Sequence, residues 1–562
     1  MPDDALVLGP LLRHTDETSA VVWAQVASAA TVTVVCDGRR HDARTFSAHG
    51  HHYAVVDVEG LERGSSQPYE LEVDGVVVWP PTDATVDGHP YPSPRIRTLD
   101  HGRPLQFLYG SCRTSVPHDA EHHRTHGVDT LRAYALRLAD GVDNEWVPDF
   151  ALFLGDQVYA DETSEAMQDF IASRRSLDEE PGTELKDFEE YAHLYLLAWS
   201  DPANRWLLST LSSLMIFDDH DVRDDWNTSR SWREEMEATQ WWHGRIVAAL
   251  ASYWVYQHVG NLSPAARAED EIWRCIEGKW ARGEDDVTDV LDAFADRVDQ
   301  HPETYQWSYV RDLGRSRLIV VDTRAARDLT PGARRILDDG EARWLLDQAT
   351  GDVDHVFVGT SLPFLMSQAV HEFEAWNEAI AEGAWGKRIL PLGEKVRQTI
   401  DLEHWAAFQH SFRVVAEHAR KVASGELGAA PATICFLSGD VHHSYLSEVD
   451  GRVGSRGTRL LQAVCSPIRN PLPRAMRTAQ TFANMRIGSR LGRALSRSAR
   501  VPDPPFTWST TAGPWFENQL ASVRVRGRDL DLRWEGAPTP EGDATPTLSV
   551  THDFTVEERG TR

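Results

Sequence analysis

Hydrophobic and polar residues alternate along the first hundred positions of this chain. The alternation has a period of two, and Gly, Pro, Ser and Asp separate the segments that show it: SAVVWAQV, ATVTVVC, HYAVVDV and YELEVDGVVVW. A period of two is typical of strands that bury one face, and several such strands joined by turns indicate an antiparallel sandwich. We therefore predict a β-sandwich domain over residues 1–100.

The pattern changes after a Pro-rich stretch at residues 81–99, which we interpret as a linker. Beyond it, short and nearly continuous apolar runs each end in a polar loop: LQFLYG, DFALFLG, SLMIFDD, RLIVVDT, DHVFVGT and TICFLSG. Such runs are typical of strands that are buried on both faces and covered by helices. They predict a layered α/β domain over residues 101–562, with the boundary near residue 102.

Segments with helical periodicity alternate with these apolar runs. They predict helices at residues 129–140, 185–198, 231–257, 284–300, 340–349 and 402–424. The closing segments ASVRVRGRDLDLRW and TLSVTHDFTVE predict a terminal strand pair. The length of 562 residues exceeds what one core usually supports, which agrees with two domains.

Composition and charge narrow the class of protein. No apolar run approaches the ~20 residues that a membrane span needs, so we predict a soluble protein. The first residues lack the basic start and cleavage site of a secretory signal, which predicts a cytoplasmic protein. A net charge of -29 argues against nucleic acid as a bulk electrostatic partner. Five widely spaced cysteines suggest neither a disulfide framework nor a zinc ribbon.

Four polar motifs follow predicted strands: GSCRTS, FLGDQVYAD, FDDHDV and LSGDVHH. Loops at the carboxyl ends of neighbouring strands converge, so we expect the motifs to meet. Their thiolate, imidazole and oxygen groups suit a centre with more than one metal better than a single-metal cage. The candidate residues are Cys112, Asp156, Tyr159, Asp219, His220, Asp440 and His442.

Each motif alone also has a simpler interpretation. Cys112 could be a small buried hydrophobic residue, and Asp156 could accept backbone hydrogen bonds at a strand end. The neighbouring Arg113 carries a guanidinium suited to phosphate, although a salt bridge is the common alternative. The segment FDDHDVRDDW is more telling, because crowded carboxylates raise one another's pKa and favour a bound cation over a solvated acidic loop.

Together the four motifs resemble, in order, those of the alkaline phosphatase D, or PhoD-like, phosphatases, a branch of the calcineurin-like metallophosphoesterases. The resemblance extends over nearly the whole chain, because that family places an immunoglobulin-like domain before its metallophosphoesterase domain. It implies a metallophosphoesterase-type layered β-sheet core flanked by helices, behind an N-terminal immunoglobulin-like β-sandwich. It also implies hydrolysis of small-molecule phosphate esters.

The resemblance further implies a ferric ion, Fe3+, together with calcium, Ca2+. Cys112, Asp156, Tyr159 and His442 look like the iron ligands, with Asp156 bridging. Asp219 and Asp440 stand where the wider superfamily has an Asn and a His, and carboxylates there are consistent with Ca2+. His220 falls on a superfamily His that resembles the general acid or a phosphate contact.

Two further residues follow another strand in the segment VVDTRAAR. The segment looks like a DTR element of the family, so that Asp322 would reach calcium and Arg324, like Arg113, the phosphate. An ion pair that caps the strand end is an equal alternative. The segment VCSPIRNP also resembles a family segment, and its chemistry assigns it no role.

The favoured function is hydrolysis of phosphate monoesters or diesters by a water that bound cations activate, with His220 protonating the leaving oxygen and arginines holding the phosphate. An iron-dependent oxidoreductase and a non-catalytic, metal-stabilised scaffold protein are the alternatives. The sequence leaves the choice between monoesters and diesters open.

An arginine-rich segment at residues 469–500 departs from the acidic average of the chain. Within it, residues 486–500 place arginines on one helical face and Ile487, Leu491 and Leu495 on another. This amphipathic segment could be an ordinary surface helix, a lid over the active site or a contact with anionic lipid.

Overall fold

A computed structural model describes the chain over residues 5–81, 85–86, 89–141, 147–451, 453–454, 457–472, 477, 486–540 and 545–557. These residues form a mixed α/β protein with an all-β N-terminal part, which confirms the predicted fold class. Part of the arginine-rich segment, 473–476 and 478–485, lies outside the described residues.

The N-terminal part consists of antiparallel strands. They are β1 (Leu6–Thr15), β2 (Ser19–Val26), β3 (Thr31–Cys36), β4 (Arg39–Arg44), β5 (Phe46–Ala48), β6 (His51–Glu59), β7 (Ser66–Val73), β8 (Val76–Trp79), β9 (Thr85–Val86), β10 (His89–Pro90) and β11 (Arg95–Arg97). One sheet has the order β1-β2-β6-β5 and the other β11-β7-β3-β4, with β8 on β7 and β9 paired with β10. Val22 and Val56 of the first sheet share an apolar core with Val34 and Leu71 of the second.

Strand β2 is buried along its whole length, although its period of two predicted one exposed face. Val22 faces the sandwich, whereas Val21 and Trp23 join the core of the α/β part. The Trp23 ring lies 5.4 Å from the ring of Tyr256. Both faces of β2 are therefore covered, and the two parts share apolar contacts; the boundary near residue 102 stays a prediction.

Two further sheets make up the α/β part. Their strands are β12 (Leu105–Gly110), β13 (Phe150–Leu154), β14 (Ser212–Ile216), β15 (Tyr309–Leu313), β16 (Ser316–Val321), β17 (His355–Thr360), β18 (Thr433–Ser438), β19 (Ser444–Val449), β20 (Arg459–Val464), β21 (Trp508–Trp515), β22 (Gln519–Arg526), β23 (Asp529–Gly536) and β24 (Ser549–Val556). The orders are β14-β13-β12-β22-β23-β24 and β15-β16-β17-β18-β20-β19-β21. Strands β12 to β14 are parallel, as are β16, β17, β18 and β20.

The two large sheets pack face to face. The rings of Phe107 on β12 and Phe357 on β17 meet at a centroid distance of 5.5 Å. A Cβ atom on Gly359 would lie 3.1 Å from the Leu154 side chain, so the sheets approach closely there. This packing explains the continuous apolar runs, because strands such as β13 are buried on both faces. The polar residues follow where the runs end.

Helices surround the sheets. In the described part of the chain they are α1 (Ala120–His126), α2 (Thr130–Ala139), α3 (Glu165–Arg174), α4 (Phe188–Trp199), α5 (Pro202–Thr210), α6 (Arg230–Glu237), α7 (Trp242–Tyr253), α8 (Val259–Asn261), α9 (Pro264–Glu269), α10 (Glu271–Ala281), α11 (Thr288–Gln300), α12 (Asp339–Gln348), α13 (Gln368–Ala381), α14 (Leu390–Thr399), α15 (Gln409–Ser424) and α16 (Arg486–Ser498). None of these helices combines the length and the apolar character that crossing a bilayer requires.

Two predicted helices differ in the structure. The helix predicted at 231–257 is divided into α6 and α7, and Trp232 and Trp242, on either side of the break, pack edge to face at 5.3 Å. The helix predicted at 402–424 begins only at Gln409, after a 3₁₀ turn at Trp405–Ala407. Glu403, just before that turn, lies near the polar residues at the strand ends.

Candidate metal centre

Four strand-end loops meet between the two large sheets. Cys112 follows β12, Asp156 follows β13, Asp219 follows β14 and Asp440 follows β18. Cys112, Asp156 and His442 each offer a ligand atom, and these atoms lie within 4.8 Å of one another. The structure thus brings together the residues of all four sequence motifs.

Carboxylates extend this cluster in a second direction. Asp219, Glu403 and Asp440 form another group whose oxygen atoms lie within 4.8 Å of one another. Asp156 also groups with Asp218 and Asp219, which connects the two clusters. The arrangement offers one pocket with sulfur and nitrogen ligands and an adjacent pocket with oxygen ligands alone.

The backbone at these positions is left-handed. The φ angle is +57° at Cys112, +48° at Asp156, +66° at Asp440 and +51° at His442. Such a conformation in a residue other than Gly costs on the order of 1–3 kcal/mol and gathers at functional sites. The loops that supply these side chains are therefore held in place by their surroundings.

Close packing of two loops supplies part of this constraint. A Cβ atom on Gly439 would lie 1.9 Å from Ser111 Oγ, so no other residue fits there. Ser111 Oγ in turn accepts a hydrogen bond from the backbone N–H of Asp440 at 3.1 Å. The loops after β12 and β18 are thus locked together beside Cys112.

The Cys112 thiol is buried among polar groups. Its Sγ atom lies 3.3 Å from Asp156 Oδ2 and 3.3 Å from the Ser466 hydroxyl. Burial, followed by the nearby Asp156 and Asp440 carboxylates, raises the pKa of the thiol well above its usual value. A thiolate at this position therefore requires a cation beside it.

Several buried oxygen atoms of the site have no hydrogen-bond partner among the described residues. They include Asp156 Oδ1 and Asp218 Oδ2. The Tyr159 hydroxyl lies near Asn470 and Cys112 and likewise has no hydrogen-bond partner in the described part of the chain. An unsatisfied buried polar atom costs about 1–3 kcal/mol. Oxygen atoms left open in this way fit the binding of cations.

His220 lies at the edge of the centre. Its Nδ1 atom is 2.9 Å from a carboxylate oxygen of Asp161, and its ring lies 4.6 Å from the ring of Tyr159. Burial lowers the pKa of His220, but the carboxylates of Asp161 and Asp219 outweigh burial and raise it well above its usual value. Asp161 belongs to the motif GDQVYAD, yet sequence reasoning gave it no role.

Arg324 is buried beneath the carboxylates rather than open to a ligand. Its guanidinium pairs with Asp218, lies 3.0 Å from Asp219, bonds Glu403 at 2.8 Å and lies 3.7 Å from Asp440. These contacts agree with the ion-pair alternative, and the phosphate contact of Arg324 stays a prediction. Its charge compensates the acidic cluster from within the protein.

Arg113 and Asp322 also have contacts that fit their structural alternatives, and their predicted roles at phosphate and calcium stay predictions. Arg113 is buried, lies 2.8 Å from Asp129 and donates to the Ala198 carbonyl at 2.7 Å. Asp322 accepts three backbone hydrogen bonds, from the N–H groups of residues 324, 325 and 326. The structure therefore pairs Arg113 with the Asp129 carboxylate and gives Asp322 the geometry of a capped turn.

Sequence reasoning missed Glu403 and His404. His404 bridges two carboxylates, with Nδ1 2.6 Å from Glu374 and Nε2 3.0 Å from Asp440. Both residues precede α15, far from any strand end, inside what the apolar pattern indicated as a helix. The adjacent acid and His in DLEHW were the only local signal.

The chain is similar to known proteins over most of its length. Residues 132–485 match the family model described as PhoD-like phosphatase, and residues 3–93 match a domain of unknown function, DUF7800. A solved structure of PhoD aligns over 99% of this chain and 91% of its own, with a TM-score of 0.59 and 12% identity. At that identity the likeness shows the fold alone.

A second solved structure has only low similarity to the chain. A carbohydrate acetylesterase from Xanthomonas citri aligns over 54% of this chain and 77% of its own, with 12% identity and a TM-score of 0.16, too low to carry an argument. No curated protein matches the chain.

Proposed function

Because the chain belongs to the PhoD-like phosphatase family, we propose that it hydrolyses phosphate esters at the centre formed by the strand-end loops. The observation that supports this most directly is the convergence of Cys112, Asp156 and His442 next to a second, carboxylate cluster. We further propose small phosphate esters of the cytoplasm as substrates.

The ligand chemistry distinguishes two cation positions. Cys112, Asp156, Tyr159 and His442 would hold Fe3+, for which thiolate, phenolate and imidazole are suitable partners. Asp219, Glu403 and Asp440 offer only oxygen and would hold Ca2+. When bound, the cations supply Lewis acidity that neutralises phosphate charge and lowers the pKa of a water molecule.

His220 would donate the proton that the leaving oxygen needs. Asp161 bonds Nδ1, which would fix the tautomer and orientation of the ring, and Nε2, which lies 3.9 Å from Asp224, would donate to the substrate. The raised pKa of His220 keeps this proton available near neutral pH. General acid catalysis of this kind typically contributes ~10² to 10⁴-fold in rate.

Arg324 and His404 would position the oxygen ligands rather than touch the substrate. Arg324 holds Glu403 and Asp219, while His404 holds Asp440 from the side of Glu374. Outer partners of this type orient metal ligands, and their loss typically costs about 10 to 100-fold in affinity or activity.

Hydrolysis of matched aryl phosphate monoesters and diesters tests the proposal. Protein purified with iron and calcium should turn over at least one of the two substrates, and chelation should abolish that turnover. The ratio of the two rates then assigns the substrate class. Turnover that depends on oxygen or a reductant would favour an iron-dependent oxidoreductase, and intact metal without any turnover would favour a scaffold protein.

A further inference from the structure

A groove lies between helix α16 and the start of strand β21. It encloses about 760 Å³, and Arg490, Arg493 and Arg497 line one side of it. We propose that this groove is a second anion site, separate from the metal centre, for a soluble ligand that carries two or more phosphate groups.

The three arginines form a continuous row. Their spacing of three and four residues places them on one helical face. The row from Arg490 to Arg497 extends over about 10 Å at the helical rise of 1.5 Å per residue. A row of this length exceeds a single phosphate group, which is why a ligand with several phosphates fits it better.

The arginines are only partly engaged by the protein. Arg493 lies 3.4 Å from Glu372, and Arg497 lies 3.2 Å from Asp503. Arg490 is exposed and forms no ion pair with any residue that the structure describes. Arg490 therefore has no acidic partner among the described residues, and Arg497 has one that is solvent-exposed. An exposed ion pair of this kind is weak enough for an anion to displace.

Helix α16 packs against α13 through small residues, and its arginines lie on another face. A Cβ atom on Gly492 would lie 3.1 Å from both the Ala369 carbonyl and Glu372 Cβ, so α16 and α13 are in close contact there. Ser496 bonds Glu372 at the same contact. Leu491 is 58% exposed. The helix therefore packs through Gly492 and Ser496 rather than through its leucines.

The other residues that line the groove are mostly polar, and one of them is a buried tryptophan that is fixed by a hydrogen bond. Trp508 is buried and donates from Nε1 to the Met366 carbonyl at 2.7 Å. Hydroxyl groups of Ser509 and Thr510 line the same space, and Asp450 is the only acidic residue among the described lining residues. Three arginines thus line one side of a groove in a chain with a net charge of -29, while Glu372 and Asp503 lie beside two of them and leave Arg490 without an acidic partner among the described residues.

Strand β19 separates the groove from the metal centre. It starts at Ser444, two residues after His442, where it pairs with Trp515, and it ends at Val449, where it pairs with Trp508. Five residues of extended chain span roughly 17 Å. A ligand beside Trp508 and Asp450 would therefore not touch the metal ligands, which argues against a lid role for this part of α16.

Hydrogen–deuterium exchange of the full-length protein with tripolyphosphate locates the binding. We expect protection of residues 486–498 and 508–510 in the wild type and in the control Arg230→Gln, which alters an exposed arginine of α6. The double variant Arg490→Gln/Arg497→Gln should bind roughly tenfold more weakly, because two charge-assisted hydrogen-bond donors are lost. Absence of protection in the wild type, or equal binding by the double variant, would overturn the proposal.

Two further measurements separate the alternatives. Cosedimentation with phosphatidylserine vesicles should be absent; if it occurs, depends on the two arginines and is not matched by tripolyphosphate protection, the site belongs to lipid and the proposal fails. Hydrolysis of aryl phosphates should be unchanged in the double variant. Because binding is measured without turnover, failure of the groove and failure of the proposed phosphoesterase activity remain distinguishable.

Discussion

The Nδ1 atom of His220 lies 2.9 Å from a carboxylate oxygen of Asp161, an acid supplied by the loop after a different strand. The pair is one of several contacts that join the motifs FLGDQVYAD and FDDHDV; the backbone N–H of Ala160, for example, donates to the His220 carbonyl at 2.8 Å. This contact supports the proposed role of His220 as the proton donor of the site.

Replacing His220 by Asn tests this role. We expect turnover to fall by ~10² to 10⁴-fold while iron and calcium contents stay unchanged, because only the proton donor is lost. His243→Asn is the matched control, since His243 is exposed and pairs with Asp296 far from the centre. Wild-type turnover in His220→Asn would remove the general acid assignment.

Asp161→Asn should change the pH profile as well as the rate. Asp161 raises the pKa of His220, so its neutralisation lowers that pKa. A general acid is active only below its pKa, and the alkaline limb of the kcat profile should therefore move to lower pH. An unmoved limb with reduced kcat would mean that Asp161 acts only through structure.

Cys112→Ser should lose iron selectively. A hydroxyl remains protonated where a thiolate would bind, so we expect iron content after dialysis to fall roughly 10-fold or more. Cys435→Ser is the control, because Cys435 is a buried thiol within β18 and lies outside the ligand clusters. Elemental analysis that finds equal iron in both variants would exclude Cys112 as a ligand.

Arg324→Met should destabilise the metal-free protein by about 3–5 kcal/mol in urea unfolding, because it leaves buried carboxylates without their cation. Added calcium should restore part of the lost stability. The exposed Arg230→Met should have little effect. If Arg324→Met instead raises KM for phosphate esters without loss of stability, Arg324 contacts the substrate after all.

Arg113→Met separates a structural role from substrate binding. Burial acts to raise the pKa of Asp129, but Arg113, with His118 and Arg469 assisting it, outweighs burial and holds that pKa below its ordinary value. The pair therefore contributes stability above the ordinary aspartate pKa of about 3.9, and this stability is lost as the pH falls through the lowered value. We expect lower stability at neutral pH and an unchanged KM; a raised KM with unchanged unfolding would contradict this.

The apolar pattern of the sequence predicts the strand ends and the candidate ligands that follow them, because the apolar runs of buried strands are distinct from the polar loops between them. Cys112, Asp156 and His442 were found in this way and lie together. Glu403 and His404 were not, because they enter the site from a connection between two helices, where no pattern marks the residues that point inward.

For the arginines, the sequence does not predict the partner of the side chain. Residue type and position predicted that Arg113 and Arg324 lie near the centre, but the partner of a guanidinium depends on which carboxylate the fold brings to it. Asp129 lies 16 residues after Arg113 and Glu403 lies 79 residues after Arg324, and these carboxylates occupy the donors that phosphate was expected to take. Burial of β2 on both faces was likewise invisible locally, because the second covering surface comes from residues beyond 240.

The residues beyond 240 that cover the N-terminal strands also affect how the protein unfolds. Arg13 on β1 is fully buried and bonds the side chain of Asn261 at 3.1 Å, while Trp23 packs on Tyr256. Cutting the chain between β11 and β12 would sever the covalent connection and leave these contacts intact. The two fragments should remain associated and melt in one cooperative transition, as a non-covalent heterodimer would.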